Sequence, residues 1–119
     1  MANGDQIESK KRVGIAPTEL AYKLLDAVTA NDSGAWIDAR YINQSTVEVS
    51  GTWPSAASVQ LQVSNAAVKP ANNVDGTPVG SPLTAPGLVA PPAPVRWIKA
   101  AVTGWSGTGS ISANLHALQ

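Results

Sequence analysis

Residues 46–64, TVEVSGTWPSAASVQLQVS, carry the clearest periodic signal in the chain. In Thr46-Val47-Glu48-Val49-Ser50-Gly51, Val47 and Val49 point one way while Thr46, Glu48 and Ser50 point the other. Ser58-Val59-Gln60-Leu61-Gln62-Val63-Ser64 repeats the pattern, with Val59, Leu61 and Val63 set against Gln60 and Gln62. Successive Cβ atoms leave an extended backbone on opposite sides, so this alternation reads as two strands, each with one buried face. The five residues between them, Thr52-Trp53-Pro54-Ser55-Ala56, suit a hairpin connection.

The same period extends outward. In residues 95–103, Ile98, Ala100 and Val102 share a face, and Trp97, Lys99 and Ala101 share the other. The turn Gly104-Trp105-Ser106-Gly107-Thr108-Gly109 leads to a last strand with Ile111, Ala113, Leu115 and Ala117 inward. Ala35-Trp36-Ile37-Asp38-Ala39-Arg40-Tyr41 reads as a further strand after the turn Asn31-Asp32-Ser33-Gly34. Upstream, Leu20, Leu24 and Val28 fall at helical spacing behind Pro17-Thr18-Glu19, which predicts a short helical turn near 17–22 leading into a strand. Residues 1–20 are polar, aperiodic and punctuated by Gly4, Gly14 and Pro17, and read as an arm outside the core.

Residues 65–94 hold seven prolines: Pro70, Pro78, Pro82, Pro86, Pro91, Pro92 and Pro94. Proline donates no ladder hydrogen bond, so this stretch is expected to give only short edge pieces, around Val79 and around Leu88-Val89-Ala90. The only charges in it are Lys69 and Asp75, and a proline-rich, nearly uncharged loop of this length in a small domain is usually functional or packed on something. Short strands separated by Gly and Pro turns predict an all-β fold, a single antiparallel, jelly-roll-like β-sandwich. The expected layout is an N-terminal arm, 1–20, followed by the sandwich domain, 21–119, with its loop at 65–94.

A chain of 119 residues holds one domain. Charged residues are only 13% and the formal net charge is zero, so no global field draws in nucleic acid or an anionic membrane. The cationic run Lys10-Lys11-Arg12 is short and reads as a solvated stretch. Cysteine is absent, which removes disulfides and thiolate metal sites. Residues 1–15 lack the apolar stretch of a signal peptide, so a soluble product without export is expected.

Catalytic motifs are wanting. His116 is the sole histidine and stands on the outer side of the last strand, without partners at zinc-ligand or triad spacing. Gly104-Trp105-Ser106-Gly107-Thr108 shares a Gly-x-Ser with the serine elbow, but ends in Thr and joins two strands rather than a strand and a helix. The carboxylates Asp5, Glu8, Glu19, Asp26, Asp32, Asp38, Glu48 and Asp75 are scattered, and a glycosidase pair would need a cleft that so small a domain hardly provides. Asn73-Val74-Asp75-Gly76 reads as a turn rather than a calcium loop. The expectation is no enzyme, no cofactor and no metal. With no phenylalanine, Trp36, Trp53, Trp97 and Trp105 dominate the aromatic inventory. Trp97 and Trp105 stay open among core plug, protein interface and sugar platform.

The segments Leu25-Asp26-Ala27-Val28-Thr29-Ala30, 46–53, 59–65, 95–102 and 107–113 follow one another in an order that resembles the small β-sandwich proteins of tailed-bacteriophage particles, which serve as capsid decoration (cement) proteins and as tail or fibre components. Where such proteins often carry a Ser-Asn-Asp-Gly-Thr hairpin, this chain has Ser64-Asn65-Ala66-Ala67, with Asp75-Gly76-Thr77 ten residues on. The resemblance implies a virion structural protein made in the host cytoplasm and placed on the capsid surface as a homotrimer that bridges major capsid proteins. It implies neither a nucleic-acid nor a membrane partner. The contacts would come from the arm, at Lys10, Lys11, Arg12, Val13 and Ile15, from the loop, at Pro82 and Pro86, and from Trp97 and Trp105. The rival reading is a tail or fibre component with a carbohydrate-binding sandwich.

Overall fold

The computed structural model describes residues 3–10 and 19–119, and among these the regular structure is entirely β. The strands are β1 (Gln6–Lys10), β2 (Glu19–Val28), β3 (Ile37–Asp38), β4 (Gln44–Thr52), β5 (Ser58–Ser64), β6 (Thr77–Leu83), β7 (Gly87–Val89), β8 (Trp97–Thr103) and β9 (Ser110–Leu118). They form two antiparallel sheets, one ordered β1-β2-β9-β4-β7 and the other β3-β8-β5-β6. The two pack face to face as a β-sandwich.

The alternating residues fill the space between the sheets. Val47 and Val49 from β4, and Ile111, Ala113, Leu115 and Ala117 from β9, meet Val59, Leu61 and Val63 from β5 and Ile98, Ala100 and Val102 from β8, all buried. Each fully buried valine, leucine or isoleucine among them contributes about 1.5–3 kcal/mol relative to exposure.

The connection 52–56 is not a hairpin. β4 pairs with β9 and β7, while β5 pairs with β8 and β6, so the chain crosses from one sheet to the other there, and it crosses again between β6 and β7, between β7 and β8 and between β8 and β9. Apart from β1–β2 and β5–β6, every pairing therefore joins strands that are not consecutive in the chain. At the exit of β4, Gly51 has a φ of 125°, and a Cβ there would collide with the Ser110 carbonyl oxygen, so only glycine lets β4 and β9 stay paired up to the crossing.

Near the N-terminus the helical expectation gives way to strand. Residues 19–22 are the start of β2, and 17–18 lie outside the described residues. The spacing of Leu20, Leu24 and Val28 arises because β2 is irregular, with register shifts between Lys23 and Leu25 and between Leu25 and Val28. The first shift lets the consecutive Leu24 and Leu25 both reach the core, each at 0% exposure. Ala27 takes a left-handed φ of 49° at the second, its N–H received by Ser112 Oγ at 3.0 Å.

Of the segment read as an arm, Gln6–Lys10 is an edge strand, paired from Gln6↔Tyr22 to Lys10↔Glu19. Asn3 Oδ1 accepts the Asp26 N–H at 2.7 Å, fastening residue 3 to β2 as well. The expected strand 35–41 shrinks to Ile37–Asp38, since the chain turns at once, with the Ile42 N–H donating to the Ala39 carbonyl at 3.1 Å. The proline-rich segment does supply two edge strands, β6 on one sheet and β7 on the other, around Val79 and Leu88-Val89 as its composition suggests.

Candidate interaction surfaces

β8 is buried on both faces. Trp97, Lys99 and Ala101, on the side away from the core, have exposures of 9%, 0% and 6%. What covers them is the first part of the proline-rich segment, residues 65–76, folded back over the second sheet. Trp97 Nε1 donates to the Ala66 carbonyl at 3.1 Å, Trp36 Nε1 to the Ala71 carbonyl at 3.1 Å, and Lys99 Nζ to the Asn72 carbonyl at 2.6 Å. The Gly76 N–H donates to Gln62 Oε1 at 2.8 Å. A Cβ on Gly76 would lie 2.5 Å from both the Trp36 ring and the Val63 carbonyl oxygen, so the segment can lie this close only with glycine there.

The Lys99 ammonium also stands 5.0 Å from the Trp36 ring centroid, over its face. Burial pushes the Lys99 pKa down, and the negative charge of Asp75 pulls it back up. A buried ammonium is tolerable only when its donors and its charge find partners, and here a carbonyl and an indole face serve. The result is a small third layer outside the sandwich, made of Trp36, Trp97, the Lys99 stem and Gln62 under a peptide roof.

The tryptophans are anchors for loops. Trp53 Nε1 donates to the Ala57 carbonyl at 3.0 Å and Trp105 Nε1 to the Gly107 carbonyl at 3.1 Å, so all four indole N–H groups end on backbone carbonyls. Phenylalanine has no N–H to offer these loops. Trp97, left open by the sequence among core plug, protein interface and sugar platform, is covered by the chain's own segment. Trp105 is half-buried against the edge of the core, and its main-chain N–H donates to Asn31 Oδ1 at 2.8 Å.

The remaining expected contact residues separate. Lys10 ends β1 opposite Glu19, whereas Lys11, Arg12, Val13 and Ile15 lie outside the described residues. Pro82 and Pro86 are exposed, Pro82 on β6 and Pro86 just before β7. The segment 65–94, expected as one contact surface, thus divides into a roof over the protein's own second sheet, 65–76, and an outer edge beyond it. From Gly76 to Val95 there is no charged residue, and of these twenty positions only Pro91 is buried. Leu88, in β7, is 68% exposed.

The polar groups that could do chemistry are engaged or dispersed. Asp32 Oδ1 accepts the Gly34 N–H at 2.7 Å, and Asp75 Oδ1 faces Gln62 Nε2 at 3.5 Å. His116 is exposed on β9 between Ala21 and Thr46. Among the described residues no three of His, Cys, Asp and Glu gather closely enough to hold a metal ion.

Sequence reasoning missed Lys99 and the Trp36 layer. One signal was present: Trp97, Ile98, Ala100, Ala101 and Val102 make β8 apolar on both faces, which marks a strand covered on both sides. Set against models of known families, against curated proteins and against solved structures, the chain matches none.

Proposed function

We propose that this chain is a non-enzymatic structural protein of a tailed-phage particle, a decoration protein that settles on the capsid surface after synthesis in the host cytoplasm, forms a trimer and bridges major capsid proteins. The observation that supports it is the uncharged outer edge formed by 76–95, with Pro82, Pro86 and the 68% exposed Leu88. An uncharged edge that exposes a large aliphatic side chain beside prolines is suited to contact with another protein. Prolines hold the edge stiff before contact, so little chain entropy is lost when a partner covers it. Three linked copies multiply a modest contact into firm attachment.

The test is to mix purified particles lacking the protein with wild-type chain and with Leu88→Asp, then measure occupancy by electron microscopy. Saturable decoration of the head by the wild type, lost with Leu88→Asp, is expected. Equal occupancy by the variant would remove the β6–β7 edge from the account. Attachment along the tail would assign the chain to the tail or fibre instead.

A further inference from the structure

Strand register brings three separate segments to one end of the second sheet. Asp38 of β3 and Ser64 of β5 both pair with Trp97 of β8, from opposite sides. The residues just past those pairs, 39–41, Asn65 and 94–96, must therefore meet. Between them lies an open depression of about 510 Å³ lined by Arg40, Tyr41, Asn65, Pro94, Val95 and Arg96. That volume is within the range of small-ligand sites, and the opening is wide enough to take the end of a longer chain.

Its chemistry is uneven in a telling way. Arg40 is pinned by Asp38, with Nη2 at 2.6 Å from Oδ2 and Nε at 3.0 Å from Oδ1. Its guanidinium also lies 5.8 Å from the Tyr41 ring centroid and 5.9 Å from that of Trp97. Asp38 is held below the usual carboxylate range, chiefly by its hydrogen bond from Arg40, and Arg96 adds to the effect. Arg96 itself has no ion pair among the described residues; its side chain reaches only the Ala67 carbonyl, at 3.4 Å. Two guanidiniums against one carboxylate leave the depression with one positive charge. Asn65 Oδ1 accepts the Arg96 N–H at 3.0 Å, which fixes the side-chain amide at the rim. Tyr41, at 67% exposure, is the one large aromatic among the described residues left mainly in water.

We propose that this depression binds an acidic sugar, a carboxylate-bearing pyranose at the end of a glycan. Arg96 receives the carboxylate, the apolar face of the ring lies on Tyr41, and the Asn65 amide and Arg40 meet hydroxyls. A peptide carboxylate would use the arginines but leave the aromatic platform wet, which is why a sugar is the better fit. The site sits at the β3–β8 side of the sheet, across from the β6 edge, and does not rest on the assembly reading.

The experiment is titration of the full chain, by calorimetry and by amide NMR, with sialyllactose and a glucuronate-terminated oligosaccharide. Neutral lactose and tri-glutamate serve as comparisons. Saturable binding of at least one acidic sugar is expected, with shifts centred on Asn65 and Arg96 and at least about tenfold weaker binding of lactose and tri-glutamate. Arg96→Gln and Tyr41→Ala, both at exposed positions, are each expected to weaken it by at least about tenfold while leaving the rest of the NMR spectrum in place. The proposal fails if neither acidic sugar binds, if lactose binds as well, or if both variants bind unchanged. Equal binding of tri-glutamate, lost in Arg96→Gln but not in Tyr41→Ala, would reassign the site to a protein carboxylate and overturn it.

Discussion

The ammonium of Lys99 donates to the main-chain carbonyl of Asn72 at 2.6 Å, joining β8 to a segment twenty-seven residues earlier while fully buried. This charge is one of four hydrogen-bonding ties between the second sheet's outer layer and the roof, beside those of Trp36, Trp97 and Gln62. Its worth depends on what replaces it. Lys99→Met keeps the stem and removes the charge, and is expected to leave stability unchanged or raise it by about 1 kcal/mol or more, as replacing buried charges with apolar groups often does. Lys99→Ala also empties the space beside Trp36 and is expected to cost about 2–4 kcal/mol. Urea denaturation midpoints of the two variants separate these effects.

Stability should rise on the alkaline side of neutrality. Burial lowers the Lys99 pKa, so the folded chain releases that proton before the unfolded chain does. Between the folded value and about 10.4, where a free lysine titrates, the unfolded state binds more protons and folding gains with pH. Tyr22 has the opposite sign: burial raises its pKa, so the folded chain keeps the proton longer and stability falls above about pH 10. Melting temperatures are expected to climb and then turn over, and Lys99→Met should abolish the climb but keep the fall.

Gly76→Ala is expected to lift the roof. The added methyl would meet Trp36 and the Val63 carbonyl oxygen at 2.5 Å, closer than packed atoms can stay. A loss of about 1–3 kcal/mol is expected. Tryptophan emission should shift to the red as Trp36 and Trp97 gain water. Gly87→Ala, where the nearest atom is a Leu83 methyl at 3.8 Å, should change stability by less than about 0.5 kcal/mol.

Two leucines give opposite readouts. Leu115 is 1% exposed between the sheets, and Leu115→Ala is expected to cost about 3 kcal/mol. Leu88 is 68% exposed, and Leu88→Ala should stay within about 0.5 kcal/mol of wild type in thermal unfolding. A large cost at Leu88 would mean that its edge supports the fold itself rather than facing a partner.

The strands of the core were legible because their signal is local. Val47/Val49, Val59/Leu61/Val63 and Ile111/Ala113/Leu115/Ala117 each alternate over a few residues, and a half-buried strand permits nothing else. β2 was harder. Leu20 and Leu24 satisfy a helical and a strand period alike, and the irregularities that bring Leu25 inward leave no mark in a single sequence. Of the candidate contact residues, Pro82 and Pro86 stand exposed as their composition suggests, because a proline-bearing strand belongs at a sheet edge.

By itself the sequence determined that the core strands are β, which residues of β4, β5, β8 and β9 face the core, and that the proline segment could enter sheets only at their edges, since all three follow from backbone geometry and side-chain alternation. Only the tertiary structure decided which strands share a sheet, that 65–76 covers Trp97 and Lys99, and that Arg40, Tyr41, Asn65 and Arg96 meet at one end. The reason is that these depend on pairings between distant segments, Ser64 with Trp97 and Asp38 with Trp97, whose registers are set by how the whole core closes rather than by any residue's neighbours in the chain.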